Sequence, residues 1–136
     1  MTGGASEVYI KSQLVECGHK YGSHYGGKEA CLLILHVLKN RQKAGWGTYL
    51  HILDTVEKWH AAPPKKTTQP DLWDRNFLSL LNEIDGICDD TRKDPTNGAL
   101  YWGDLTDIQS DFFLEHVCRN PEKHRCADMN SLTFFK

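Results

Sequence analysis

Apolar positions along this chain recur mostly at the three- and four-residue spacing of an amphipathic helix. Val8, Ile10, Leu14 and Val15 share a rough face over 6–17, and Gly18 is a plausible stop, so a first helix is expected to end close to Glu16. The stretch 20–27 (KYGSHYGG) holds three glycines and two tyrosines, a turn-rich composition that predicts a flexible loop. From Lys28 to Lys43 the apolar residues Cys31, Leu32, Ile34, Leu35 and Leu38 occupy too wide an arc for a surface helix, which predicts the central buried helix, terminated at Gly45 and Gly47. Thr48 caps a third helix to about His60 through Leu50, Leu53 and Val56. The proline-rich 61–70 (AAPPKKTTQP) reads as an exposed connection, and Asp71 caps a fourth helix to about Cys88 on Phe77, Leu80, Leu81 and Ile84. A polar loop, 89–98, follows. Two short apolar and aromatic runs, 99–102 and 132–135, pair as a minimal two-stranded element, with a fifth helix over 107–119 between them. The expected fold is mainly α, about five helices with one small β element, and no internal repeat appears.

Length fits this pattern to one domain, since 136 residues suffice for one hydrophobic core. Hydrophobic residues at 40% and charged residues at 25% are ordinary for a globular chain, which argues against disorder. With 16 Lys and Arg against 18 Asp and Glu, the net charge of −2 supplies no field toward nucleic acid, which is not an expected partner. The longest apolar run, 30–35, is far short of the roughly 20 residues a membrane helix requires. The N-terminus has no basic region followed by an apolar one, so a chain made in the cytoplasm without a signal peptide is expected. Five cysteines, Cys17, Cys31, Cys88, Cys118 and Cys126, form no CxxC pair and leave at least one thiol unpaired, which fits a reducing compartment. Cys118 with Cys126 is the first disulfide to suspect should the protein be exported.

Among single residues Glu16 carries the sharpest chemical expectation. A carboxyl at a helix end, facing a cleft and partly desolvated, keeps its proton near neutral pH and serves as a general acid. Considered alone, a Glu near a helix end is far more often a solvated surface residue.

The order of several segments changes that balance. Glu16, a Gly- and Tyr-containing loop, and a helix ending Val37-Leu38-Lys39-Asn40-Arg41 resemble the opening of the SleB-type cell-wall hydrolases, the spore-cortex-lytic enzymes and their relatives. In that family a catalytic Glu precedes a helix ending in Leu-Asn-Arg; here Lys39 stands between the Leu and the Asn. Asp94-Pro95-Thr96-Asn97-Gly98-Ala99-Leu100-Tyr101-Trp102 is similar to its second hallmark, an Asp-Pro-Thr-Gly-Gly-Ala-Leu-Tyr-Tyr segment, and Phe134-Phe135 to its terminal aromatic strand. The resemblance covers about 6–136 in segments.

It implies a lysozyme-like fold and cleavage of peptidoglycan glycan strands between N-acetylmuramic acid and N-acetylglucosamine, with Glu16 as catalytic acid and Glu29 as second candidate. No cofactor and no metal are implied. One Glu acts as acid and then base while the muramoyl 6-hydroxyl attacks, so that a second carboxylate is unnecessary; a hydrolytic, inverting course has Asp94 or Asp104 position water. Sugar faces ask for aromatic platforms beside amides and hydroxyls, which Tyr101, Trp102, Asn97, Thr96, Tyr25, Trp59 and His60 offer, with Tyr21 as a further candidate. The competing reading makes the larger aromatics core residues, and Asn40 and Arg41 simple helix caps. The absent export signal suits a phage endolysin or a virion-associated enzyme. Three rival functions are weighed. Zinc at His19 and His24 with Glu16 or Cys17 matches no standard spacing. A Cys17 thiol nucleophile needs one of those imidazoles. A wall-binding, virion structural or inhibitory protein would keep the fold without turnover.

Overall fold

The computed structural model describes residues 6–59, 75–106 and 111–136. The proline-rich connection, the Asp71 cap, His60 and the start of the expected fifth helix lie outside the described residues, as do the side chains of His24 and Trp59. What is described is mostly helical with one small antiparallel sheet. No described helix is long and apolar enough to cross a membrane.

The first element, α1 (Glu7–Lys43), keeps two helical segments but corrects the expected bounds: the first does not stop near Glu16, and the expected loop 20–27 is largely helical. Ser6 caps it by accepting a hydrogen bond from the Tyr9 N–H at 3.2 Å, and helical structure continues past Glu16 and through most of the glycine-rich stretch. The segment doubles back on itself at Gly27, whose φ of +59° lies in the left-handed region. A Cβ on Gly22 would sit 2.8 Å from the Cα and N of Cys31, and one on Gly18 would sit 2.9 Å from the Leu35 side chain. Residues nine apart in a straight helix are separated by about 13.5 Å, so these contacts require two antiparallel limbs, 7–26 and 28–43. Glycine serves here for close approach rather than for looseness.

Against this hairpin pack α2 (Tyr49–Asp54), capped by Thr48 through His51 N–H, and α3 (Arg75–Cys88), while a 3-10 turn (Val56–Trp59) follows α2. Lys28 pairs with Glu83 at 2.9 Å, Lys11 with Asp85, and Lys39 donates to the Cys88 carbonyl at 2.7 Å, so both limbs are tied to α3. Leu14, Val15, Ile34, Leu35, Leu38, Ile52, Leu80 and Ile87 are fully buried between these helices. They include much of the apolar set the periodicity marks.

The expected strand pair forms as β1 (Tyr101–Asp104) against β3 (Leu132–Phe135), with Tyr101 opposite Phe135. A third strand, β2 (Arg125–Met129), joins the other edge of β3 through a two-residue turn at Asn130 and Ser131, giving the order β1-β3-β2. Its sequence, RCADM, lacks the β-branched alternation that announces a strand. Trp102, Leu132 and Phe134 face the helical core, whereas Tyr101 and Phe135 face Phe113 and Val117 from α4 (Asp111–Phe113) and the π-helical turn after it (Leu114–Cys118).

Candidate active site and its support

The two segments that carry the family resemblance meet in space. Asn40, near the end of α1, donates from Nδ2 to the Asp94 carboxylate at 2.9 Å and to the Ala99 carbonyl at 3.0 Å, and Arg41 Nε donates to the Leu100 carbonyl at 2.7 Å. Within the loop Asp94 accepts from Thr96 N–H and Gly98 N–H, both at 2.8 Å, and from Thr96 Oγ1 at 2.6 Å. Asn97 and Gly98 adopt left-handed φ of +58° and +87°, which wraps the loop around its own carboxylate. Asn40 and Arg41 therefore do more than end a helix: they seat the strand-leading loop 94–100. Arg41 is fully buried, its guanidinium 4.7 Å from the Trp46 ring centre and 4.9 Å from that of Trp102. Among the described residues neither Nη1 nor Nη2 has a hydrogen-bond partner, and the aromatic faces are its counterweight. Burial brings its pKa down to about 10, which still leaves it charged at neutral pH.

This docking absorbs residues expected to touch sugar. Trp102 and Thr96 are fully buried and Tyr101 is 5% exposed, so they offer a glycan no surface; Trp102 stacks edge-on to Tyr21 at 5.9 Å and Tyr101 leans on Trp46 at 5.6 Å. Tyr25 is likewise interior, its hydroxyl donating to Asp104 at 3.0 Å, while Asp104 also accepts from Thr106 N–H at 2.9 Å. Neither Asp94 nor Asp104 is placed to direct water: each is consumed by its turn. Asn97 is exposed but bonds the Cys126 carbonyl at 3.0 Å. Trp59 and His60 fall outside the described side chains.

Glu16 has a different setting. It lies mid-limb and half-buried, its carboxylate 3.5 Å from Gln13 Nε2, in the wall of an open cleft of about 360 Å³. Gln13, Lys20 and Tyr21 share that wall, and Leu53, Asp54 and Val56 form the other. Among the described residues the cleft thus holds two carboxyls, Glu16 and Asp54, beside one lysine. Asp54 was not singled out by the sequence because it is one more acid at the end of a short helix; only the folding of α2 onto the hairpin gives it a place. Glu29 is exposed and lines a separate cavity with His36.

The rival chemistries find less support. Among the described residues no three His, Cys, Asp or Glu side chains gather as a metal site requires. His19 is buried edge-on to Phe77, at 6.0 Å. All five cysteines are free thiols, Cys118 and Cys126 included. Burial pushes the Cys17 thiol up to about 12, against the pull of Arg41 and Lys20, so it remains protonated and is a poor nucleophile. Iodoacetamide at pH 7.5 is expected to spare Cys17 in the folded protein and to label it only after denaturation, as read by peptide mass spectrometry; rapid native labelling would refute the inert thiol.

His36 gives a pH prediction. Burial lowers its pKa, and Arg92 adds to this, against Asp94 and Asp90, which pull the other way. A base with a depressed folded pKa contributes stability above its unfolded value, about 6.5, and loses it as pH falls through the folded value. Stability is expected to decline below about pH 6.5 by at most about 1.4 kcal/mol per pH unit for this one proton. The urea midpoint of His36→Gln should show a shallower decline; parallel curves would remove His36 as the cause.

Comparison with protein-family models, with curated proteins and with solved structures finds no match to this chain.

Proposed function

We propose that this chain cleaves peptidoglycan glycan strands between N-acetylmuramic acid and N-acetylglucosamine, from a lysozyme-like arrangement in which Glu16 is the catalytic acid. The observation that carries the reading is the half-buried Glu16 carboxyl in the wall of an open cleft, with a second carboxyl, Asp54, on the facing wall. A carboxyl in the wall of an open cleft can meet a glycosidic oxygen directly, and such a cleft accepts a polymer from the side. Glu16 gives its proton to the glycosidic oxygen as the bond to the muramoyl C1 breaks. Its carboxylate then takes the proton of the muramoyl 6-hydroxyl as that oxygen bonds to C1, which yields a 1,6-anhydro end and restores the acid. If water is the nucleophile instead, Asp54 is the group in the cleft to receive its proton, and a reducing end results.

The mutual seating of Asn40-Arg41 and 94–100 supports the reading indirectly, since it brings the resembling segments into one unit whose Trp102 braces Tyr21 in the cleft wall. Mass spectrometry of the soluble products from purified peptidoglycan tests the proposal. Anhydro-muropeptides are expected, reducing muropeptides would assign Asp54 the water, and binding without any soluble release would replace catalysis by a wall-binding role.

A further inference from the structure

A second cavity, of about 480 Å³, shares no residue with the Glu16 cleft. The second limb of α1 forms one side of it, and the loop before Asp94 together with β2 forms the other. Its volume falls in the range of roughly 300–1,000 Å³ that small-molecule sites occupy. Leu32, Leu33 and Met129 give it an apolar lining.

His36 borders this space and is 6% exposed. Its Nδ1 is 3.8 Å from Asp94 Oδ1, too far for a hydrogen bond, and the Asp94 oxygens already accept from Asn40, Thr96 and Gly98. Among the described residues the imidazole has no hydrogen-bond partner, and its ring nitrogens are not sealed off, so a polar group of a ligand in the cavity can reach one.

Charge then defines the ligand. The rim carries Arg92 and Lys93 against Glu29 and Asp128. Arg92 is engaged with Glu83 at 2.9 Å, whereas Lys93, Glu29 and Asp128 enter no ion pair among the described residues. One cation and two anions around an apolar lining complement a dipolar molecule better than a simple anion or an uncharged sugar.

We propose that this cavity binds a free amino acid or a whole free dipeptide, each carrying both an ammonium and a carboxylate, with small aliphatic side chains. The carboxylate meets Lys93, the ammonium meets Glu29 and Asp128, the aliphatic part rests on Leu32, Leu33 and Met129, and His36 bonds a polar group of the ligand. The site stands independently of glycan cleavage.

The test is NMR titration of the full chain with alanyl-alanine, with alanine, and with N-acetyl-alanyl-alaninamide, which has the same side chains and no charges. Saturable shifts at His36 and Met129 are expected with the free dipeptide or with alanine, the tighter of the two naming the source. The capped dipeptide should bind far more weakly. Lys93→Glu, a surface change whose fold is checked by circular dichroism, should weaken the free dipeptide about tenfold by exchanging an attraction for a repulsion. Equal binding of the capped compound, indifference to Lys93→Glu, or no saturable shift with either free ligand overturns the proposal. Because no cleavage is read, a chain that binds alanyl-alanine yet releases no muropeptide keeps this site and loses the glycan-cleaving function.

Discussion

Replacing Glu16 by Gln is expected to slow the release of soluble muropeptides by about 10²–10⁴-fold, the usual contribution of a positioned general acid. The substitution retains size and shape and can keep the contact with Gln13, 3.5 Å away, so the thermal melt should be unchanged and the loss should lie in kcat rather than in wall binding. Asp54→Asn, made in parallel, separates the two chemical courses. With the 6-hydroxyl as nucleophile, Asp54 has no proton to receive and its amide should retain most activity. With water as nucleophile the loss should approach that of Glu16→Gln. Undiminished release by Glu16→Gln would move the acid elsewhere, with Glu29 next to be changed.

How far these groups are visible in the sequence depends on how local their placement is. The two strand segments, the buried second limb and the apolar stripe of α3 follow from local pattern, because each segment is decided by residues close to one another in sequence. The hairpin does not. Gly18, Gly22 and Gly26 are spaced by four, which puts them on one face of a helix, but the same glycines lower helix propensity and read as a loop. Only the second limb, lying against Gly18 and Gly22, turns the spacing into a packing surface. The same reversal explains Tyr21 and Tyr25: they interleave with the glycines, so they face the interior when the stretch is helical, at 6% exposure each, instead of standing out from a mobile loop. In the segment 94–102, the polar groups that suit a sugar equally suit Asn40 and Arg41 some fifty residues earlier, and that long-range partner claims them. Asp54 and His36 lie beyond local reading for the same reason. Neither carries a motif, and each gains a role from an element distant in sequence.

The tightest point of the fold is also where a single methyl group should cost the most. In Gly22→Ala the added carbon meets the Cα and N of Cys31 at 2.8 Å, backbone atoms of the other limb that cannot rotate away. The limbs must separate, and overpacking of this kind costs about 3 kcal/mol, a large share of the roughly 5–15 kcal/mol that holds a domain folded. For a chain of this size the expected fall in Tm is about 10 °C. Gly18→Ala is the informative comparison, because its methyl meets the Leu35 side chain at 2.9 Å and the Cys31 carbonyl oxygen only at 3.2 Å, and should cost less, about 1–2 kcal/mol. A melt of Gly22→Ala matching the wild type, or Gly18→Ala as damaging as Gly22→Ala, would contradict the close antiparallel contact. The consequence reaches the cleft. Glu16 and Tyr21 ride on the first limb while Asn40 and Arg41 ride on the second, so limbs pushed apart at Gly22 shift Glu16 relative to the unit that braces its wall. Gly22→Ala should therefore lower muropeptide release at temperatures well below its own melt, whereas Gly18→Ala should not.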